Sequence, residues 1–148
     1  MAEKYVLTMN EEQARVTMAA LDLYMRLRIG QWDELADLCI ECDYENEDDF
    51  FAYREKRDEV RKRLLHARQI AMPELTRGSS WGVYKFEKTE RAFNVLKAIR
   101  SARAWHNNPK GGYECYYDRP MPIHVREEMP SCEVVDDAGQ DEANGGAN

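Results

Sequence analysis

The sequence lacks the features that direct a chain into a membrane or a secretory route. A membrane-spanning helix needs a run of about 18 apolar residues, and no apolar run in this sequence approaches that length. The opening residues, MAEKYVLTMN, do not have the basic and then apolar layout of a signal peptide. With 4 cysteines and no export signal, we expect reduced thiols rather than a disulfide framework. These absences predict a cytoplasmic protein without a membrane segment.

The sequence also lacks an excess of positive charge. It has 21 Lys and Arg residues against 28 Asp and Glu residues, which gives a formal net charge of -7. General binding to nucleic-acid backbone needs a basic footprint, so this balance argues against it. The acids are concentrated in residues 41–49 and from residue 127 onward. A local basic site elsewhere on the chain therefore stays open.

Motifs of nucleophilic and phosphate chemistry are missing. The chain has no GxSxG, and RGSSWG lacks the lysine and glycine spacing of a phosphate-binding loop. His66, His106 and His124 stand alone, and a surface histidine at a helix C-terminus explains His66 as well as a general base does. We therefore predict that the chain is not an enzyme and needs no cofactor, with nucleotide hydrolysis as the open alternative.

A metal site is the next candidate, and its pattern is incomplete. Cys39 and Cys42 have the spacing of a zinc or redox pair, and Cys115, His124 or Cys132 could complete a tetrahedral set. The pair lies in a predicted helix with no glycine or proline beside it. The acidic stretch YENEDDF lacks the glycine that a calcium loop needs for its sharp turn. We predict no metal ion, with Cys39 in the core and Cys42 half-exposed.

What the sequence does contain is the composition of one folded domain. Its 148 residues are 43% hydrophobic and 33% charged. Apolar residues recur at helical spacing in four segments: from Thr8 or Asn10 to Gly30, and over residues 31–42, 47–69 and 88–106. We expect a compact domain at 1–125, followed by an extended and largely disordered acidic tail at 126–148.

Three short segments have strand-like composition. They are residues 4–9, 81–86 and 113–117, which are rich in aromatic or β-branched side chains. We predict an α+β fold that is mainly helical, with three or four amphipathic helices on a small antiparallel sheet. Trp32, Trp81 and Trp105 should contribute to the core or to a subunit contact, and a homo-oligomer is plausible.

A group of arginines and aromatic residues around the last predicted helix is the strongest candidate site. Flat rings can stack on a base, and guanidinium groups match phosphate oxygens. The simpler interpretation is that the cations are solvated and the rings belong to the core. The candidate ligand-binding residues are Arg77, Trp81, Arg91, Arg100, Tyr116, Tyr117 and Arg119.

Two stretches carry a resemblance to a known group of proteins. They are YVLTMNEEQARVTMAALDLYMRLRIGQWDEL and SSWGVYKFEKTERAFNVLKAIRSARAWHNNPKGGYECYYDRPMPI. Together they resemble a family of small uncharacterised proteins of tailed bacteriophages, over most of the chain up to about residue 123. The likeness is one of overall pattern and carries no site residues. It implies a role in the cytoplasm of the host bacterium.

The resemblance and the arginine and aromatic group together predict a function. The leading hypothesis is a non-enzymatic counter-defence factor that sequesters a small anionic immune signal of the cyclic nucleotide type. The alternative is a phage protein that binds and inhibits a host protein through an acidic surface, formed by residues 43–49 and the tail. The first predicts binding of a nucleotide-type ligand, and the second predicts salt-sensitive capture of a basic protein.

Overall fold

The computed structural model describes residues 4–40 and 47–135, and this part of the chain is helical. It contains α1 (Glu11–Ile29), α2 (Glu47–Ala71), α3 (Glu87–Asn107) and the short α4 (Tyr113–Tyr117). Two 3₁₀ helices, Trp32–Asp37 and Val83–Lys85, connect them. The described residues contain no strand, so the predicted α+β class with an antiparallel sheet is wrong.

The three strand-like segments each adopt another conformation. Residues 4–9 have no regular structure, Val83–Lys85 forms a 3₁₀ turn within the second segment, and Tyr113–Tyr117 is one helical turn. Strand propensity measures packing against neighbouring strands, and a strand without a partner is not stable. Because residues 81–86 and 113–117 contain helical turns, residues 4–9 have no described strand to pair with.

Helix α1 begins and ends where the sequence signals predict. Of the two possible capping boxes, the structure contains the one at Asn10, whose side chain accepts a hydrogen bond from the Gln13 N–H while the Gln13 side chain accepts from the Asn10 N–H. Gly30 ends the helix with φ of 86°, a left-handed conformation that favours glycine. Both boundaries of α1 therefore follow from local chemistry.

Helices α1 and α3 pack against each other and enclose a small hydrophobic cluster. Its fully buried members are Met25 from α1 and Ala92 and Leu96 from α3. Three partly buried side chains pack around them: Met18, Leu21 and Phe93. Ala92 and Leu96 from the apolar stripe predicted for α3 thus contact α1, which leaves the rest of α3 for other contacts.

The sequence predicted a regular helix over residues 31–42, but the helical part of this segment within the described residues is the 3₁₀ helix Trp32–Asp37. It packs against α2 and buries Leu35 and Ala36. Arg57, which interrupts the apolar stripe of α2, donates two hydrogen bonds to the Asp37 carboxylate. The hydrogen bonds from Arg57 hold the pKa of Asp37 below its usual range. The one charged residue in the apolar stripe of α2 therefore forms an ion pair with the 3₁₀ helix.

A buried arginine joins α2 to the end of α1. The Arg68 guanidinium donates to the carbonyl oxygens of Gly30, Thr76 and Ser79 at 2.8 to 3.2 Å. The side chain is 4% exposed. A cation is favourable at a helix C-terminus, where backbone carbonyls lack partners within the helix. Arg68 thus fixes the loop after α2 against the end of α1.

The chain after α4 runs back along α3 as far as Val135, where the described part ends. We call residues 118–135 the covering segment. The division into a compact 1–125 and a tail 126–148 stays a prediction, because residues 136–148 lie outside the described part. No helix within the described ranges combines the length and the apolar content that crossing a membrane requires.

Candidate functional site

A groove follows the side of α3 that the covering segment faces. It consists of two cavities, one of about 610 Å³ and one of about 230 Å³. Pro130 lines both cavities, so they adjoin. On the helix the lining runs from Arg91 to His106, which corresponds to about 22 Å of helix length. We call the two cavities together the α3 groove.

The floor of the larger cavity is made of small side chains. Ala98, Ser101 and Ala102 line it from α3, and Trp105 closes the end nearest α4. Residues spaced three and four apart share one face of a helix. Small residues on such a face let the backbone of another segment approach closely, and here Pro130 and its neighbours only partly cover them.

A buried glutamate holds the covering segment on α3. Glu90 is 0% exposed, and its Oε1 accepts hydrogen bonds from the backbone N–H groups of Ile123, His124 and Val125 at 2.6, 2.9 and 3.2 Å. Burial raises the pKa of Glu90, but the three N–H donors outweigh it and the pKa lies below the usual value. The carboxylate is therefore ionised at neutral pH and fixes one wall of the groove.

A buried lysine on the same helix holds α4. The Lys97 ammonium donates to the Tyr117 carbonyl at 3.0 Å and to the Asp118 carboxylate at 2.9 Å. It also lies 4.1 Å from the centre of the Tyr117 ring. Such a cation over a ring is favourable when both are partly removed from water. Lys97 thus places α4 beside the Trp105 end of the groove.

Four aromatic rings form what we call the aromatic surface: Trp105, Tyr113, Tyr116 and Tyr117. Trp105 and Tyr116 meet edge to face at 5.6 Å, and Tyr113 stacks on Tyr117 at 5.4 Å. Tyr113, Tyr116 and Tyr117 are 78%, 67% and 62% exposed. Rings this exposed are available to a partner, and tyrosine and tryptophan are enriched where proteins bind other proteins.

The opposite end of the groove carries charged side chains with an acidic balance. Arg91 binds the Glu127 carboxylate at 3.0 Å and Glu87 at 3.4 Å, and Lys4 binds Glu128 at 2.8 Å. The hydrogen bonds from Arg91 to Glu127, together with the carboxylate charge, raise the pKa of Arg91. The rim therefore holds more carboxylates than cations, and its cations are already paired.

The predicted ligand-binding residues fall into separate places. Tyr116, Tyr117 and Arg119 lie together at α4 and just after it. Arg91 lines the smaller cavity at the other end of the groove, and Arg100 is half-buried on α3. The structure therefore brings together the three residues that are neighbours in the chain.

The remaining two predicted residues lie at the end of α1. Arg77 is exposed in the loop after α2. The Trp81 N–H donates to the Ile29 carbonyl at 2.9 Å, and the Trp81 ring packs edge to face on Phe86 at 5.3 Å. Neither Arg77 nor Trp81 lines the two cavities of the groove. Trp81 thus has a structural role next to α1, beside any role in binding.

The sequence analysis missed the buried polar residues of α3. Glu90, Asn94 and Lys97 are buried, and with Ser101 they recur at helical spacing on one face. This second stripe is visible in the sequence. Polar stripes opposite an apolar face are usually solvated, so the spacing alone does not indicate burial. The covering segment and α4 are what bury it.

The cysteine and histidine candidates for metal binding lie apart from one another. Cys39 is exposed, Cys115 is buried and Cys132 is half-buried, and all three are free thiols. Cys42 lies outside the described residues. Among the residues the structure describes, no group of three or more His, Cys, Asp or Glu side chains could hold a metal ion. Burial and then the charge of Glu133 raise the pKa of Cys132, which makes this thiol a poorer nucleophile.

Comparison with known proteins identified no relative of this chain. No family model, no curated protein and no solved structure matches the chain. The geometry of the groove and the aromatic surface is therefore the basis for a functional argument.

Proposed function

We propose that this chain is a non-enzymatic binding protein that holds a partner protein along the α3 groove and so blocks the partner. The observation that carries the proposal is the groove itself: about 22 Å of helix with a floor of small residues, ending at exposed aromatic rings. In the phage setting that the sequence pattern implies, the partner is a protein of the host bacterium.

The shape and chemistry of the groove suit a segment of polypeptide. Ala98 and Ala102 allow close approach of a backbone, while Trp105 and Tyr116 offer large and rigid contact surfaces at one end. The acidic rim around Glu127 favours a basic partner and disfavours acidic ones. Of the acidic surface predicted from the sequence, residues 43–46 and 136–148 lie outside the described residues.

The test is capture of partners with the wild-type chain and with matched variants. Ala102→Trp fills the larger cavity, and Tyr116→Ala removes an exposed ring of the aromatic surface. Phe51→Ala removes an exposed aromatic side chain on α2, away from the groove, and serves as control. A partner identified from host lysate is then purified and titrated against all four proteins.

The proposal expects Ala102→Trp and Tyr116→Ala to weaken binding at least about tenfold, as loss of a contact residue at the centre of an interface does. Phe51→Ala should bind as the wild type does, and higher salt should weaken all complexes. A partner that binds the groove-filled variant with unchanged affinity would contradict the use of the groove.

A second candidate function is capture of a small anionic ligand of the cyclic nucleotide type. Its supporting observation is that the larger cavity, at about 610 Å³, has the size of small-ligand sites and is lined by the Trp105 ring, with Tyr116 beside it. Arg100, which is half-buried on α3, is the nearest of the predicted arginines along the chain to this end of the helix. The acidic Glu133, which also lines the cavity, opposes an anion.

Thermal unfolding with a panel of cyclic nucleotides tests this second candidate. A ligand at 100 times its dissociation constant adds about 2.7 kcal/mol to the free energy of unfolding. The absence of any shift across the panel would remove the nucleotide hypothesis. If a shift occurs, mass spectrometry of the recovered ligand separates binding, which returns it intact, from hydrolysis, which does not.

A further inference from the structure

One residue that lines the smaller cavity of the α3 groove has a buried polar atom without a hydrogen-bond partner. Asn94 lines this cavity and is 3% exposed. Its Oδ1 is buried and accepts no hydrogen bond from any described residue. A buried acceptor in this state costs free energy, because the amide has given up water and gained nothing in return. Oδ1 would gain from a donor brought in by another molecule.

The walls and the rim of this cavity differ in polarity. Val95, Val125 and Met129 supply apolar wall, while Glu127 and Glu128 lie among the lining residues and bring carboxylates. An occupant that fits has an aliphatic stem and a cationic head that donates hydrogen bonds. A lysine side chain has this chemistry, with three donors on a flexible four-carbon stem.

The guanidinium of Arg91 also lines the cavity, and its charge must be counted. Arg91 is paired with Glu127 and Glu87, and Lys4 is paired with Glu128. Glu90, whose carboxylate accepts from the Val125 N–H, is a fourth carboxylate, so the two cations and four carboxylates leave two negative charges near the cavity. An anionic occupant would meet those charges and would offer Oδ1 of Asn94 no donor.

We propose that the smaller cavity is a pocket for a lysine side chain of the partner protein, with the ammonium donating to Oδ1 of Asn94. The stem of the lysine packs on Val95, Val125 and Met129, and the carboxylates at the rim balance its charge. This inference rests on the proposed function, since the lysine belongs to the protein that occupies the groove. It adds the residue type that the groove selects at this end.

The test uses small probes and the full chain, observed by two-dimensional NMR of backbone and side-chain amides. The probes are N-acetyl-lysine methylamide, N-acetyl-norleucine methylamide, which has the four-carbon stem without the ammonium, and acetate as an anion. We expect saturable shifts at the Asn94 side-chain amide and at the Val125 amide with the lysine probe. Norleucine should bind at least about tenfold more weakly, as loss of a charged hydrogen bond predicts.

Two variants give matched controls for the probe experiment. Asn94→Leu removes the acceptor while keeping the number and branching of the side-chain heavy atoms, and it should weaken the lysine probe at least about tenfold. Gln69→Leu makes the same change from an amide to an aliphatic side chain at an exposed position on α2, and it should leave the probe's affinity unchanged. Equal shifts with lysine and norleucine, no saturable shift with lysine, or binding of acetate alone would each overturn the inference, and these outcomes need only the wild-type chain.

The result can be separated from a failure of the proposed function. If a partner binds the groove but keeps its affinity after each of its lysines is replaced by methionine, the lysine pocket is refuted while the function stands. If the lysine probe binds at Asn94 but no partner depends on Ala102 or Tyr116, the pocket stands and the proposed function is refuted.

Discussion

Replacing Glu90 with glutamine should loosen the wall of the α3 groove without changing the size of the side chain. In the wild type, one buried oxygen of Glu90 accepts three backbone N–H groups of residues 123–125. Hydrogen bonds to a charged group each contribute about 1.5–3 kcal/mol, and the three donors here share one acceptor. Glutamine keeps a neutral acceptor at that place, so we expect the free energy of unfolding to fall by about 1–3 kcal/mol.

The effect should depend on pH in a defined direction. The pKa of Glu90 in the folded chain lies below the usual value, so the ionised carboxylate stabilises the folded state at all pH values above that usual value. This contribution is lost as the pH falls through the lower folded pKa. The difference between wild type and Glu90→Gln should therefore be largest at neutral pH and shrink in acid, where the wild type is itself protonated.

Urea denaturation at a series of pH values measures this difference, and Glu87→Gln is the matched control. Glu87 is on the same helix but is exposed, and it pairs with Arg91 at 3.4 Å. An exposed ion pair contributes only about 0–1 kcal/mol, so this variant should change little. If Glu90→Gln matches the wild type at neutral pH, or if the gap stays constant into acid, the assigned role of the Glu90 carboxylate is incorrect.

Three further predictions concern other buried contacts. Lys97→Met removes the cation that binds α4, so the free energy of unfolding should fall by about 2–4 kcal/mol. Amide hydrogen exchange over residues 113–119 should become faster, and unchanged exchange would refute this role of Lys97. Gly30→Ala should destabilise by about 1–3 kcal/mol in thermal unfolding, because φ is 86° and the new Cβ would clash with Leu75 Cδ1; equal stability would contradict that geometry. Burial, and to a smaller extent the charge of Glu90, raises the pKa of Tyr84. Glu90→Gln should therefore lower the pKa of Tyr84 in an ultraviolet titration. An unchanged titration curve would show that the Glu90 charge does not affect Tyr84.

The parts of the fold that local chemistry decides were predictable from the sequence. Helix α1 begins at the Asn10 capping box and ends at Gly30, and α3 follows the apolar stripe that contacts α1. The lack of a sheet in the described residues could not be predicted from the sequence. Strand-like composition in residues 4–9 and 113–117 indicates only how the side chains would pack if partner strands existed. Lys97 binds the end of α4 from 20 and 21 positions away in the chain, which local sequence patterns do not report.

The candidate site was predictable only in part, for the same physical reason. Tyr116 and Arg119 lie together because they are neighbours in sequence, whereas the place of Trp81 depends on how its loop packs on α1. Glu90 and Asn94 look like solvated positions of a helix until the covering segment buries them. Which segment lies over which face is a tertiary fact, and the helical spacing of a single element does not contain it.

The most direct test of the account is amide hydrogen exchange at Ile123, His124 and Val125, measured by NMR in the wild type and in Glu90→Gln. The account predicts that these three amides are protected at neutral pH in the wild type and that the variant loses this protection while the α1 and α3 amides keep theirs. Rapid exchange of the three amides in the wild type, or equal protection in both proteins, would contradict the claim that Glu90 holds the covering segment over the groove.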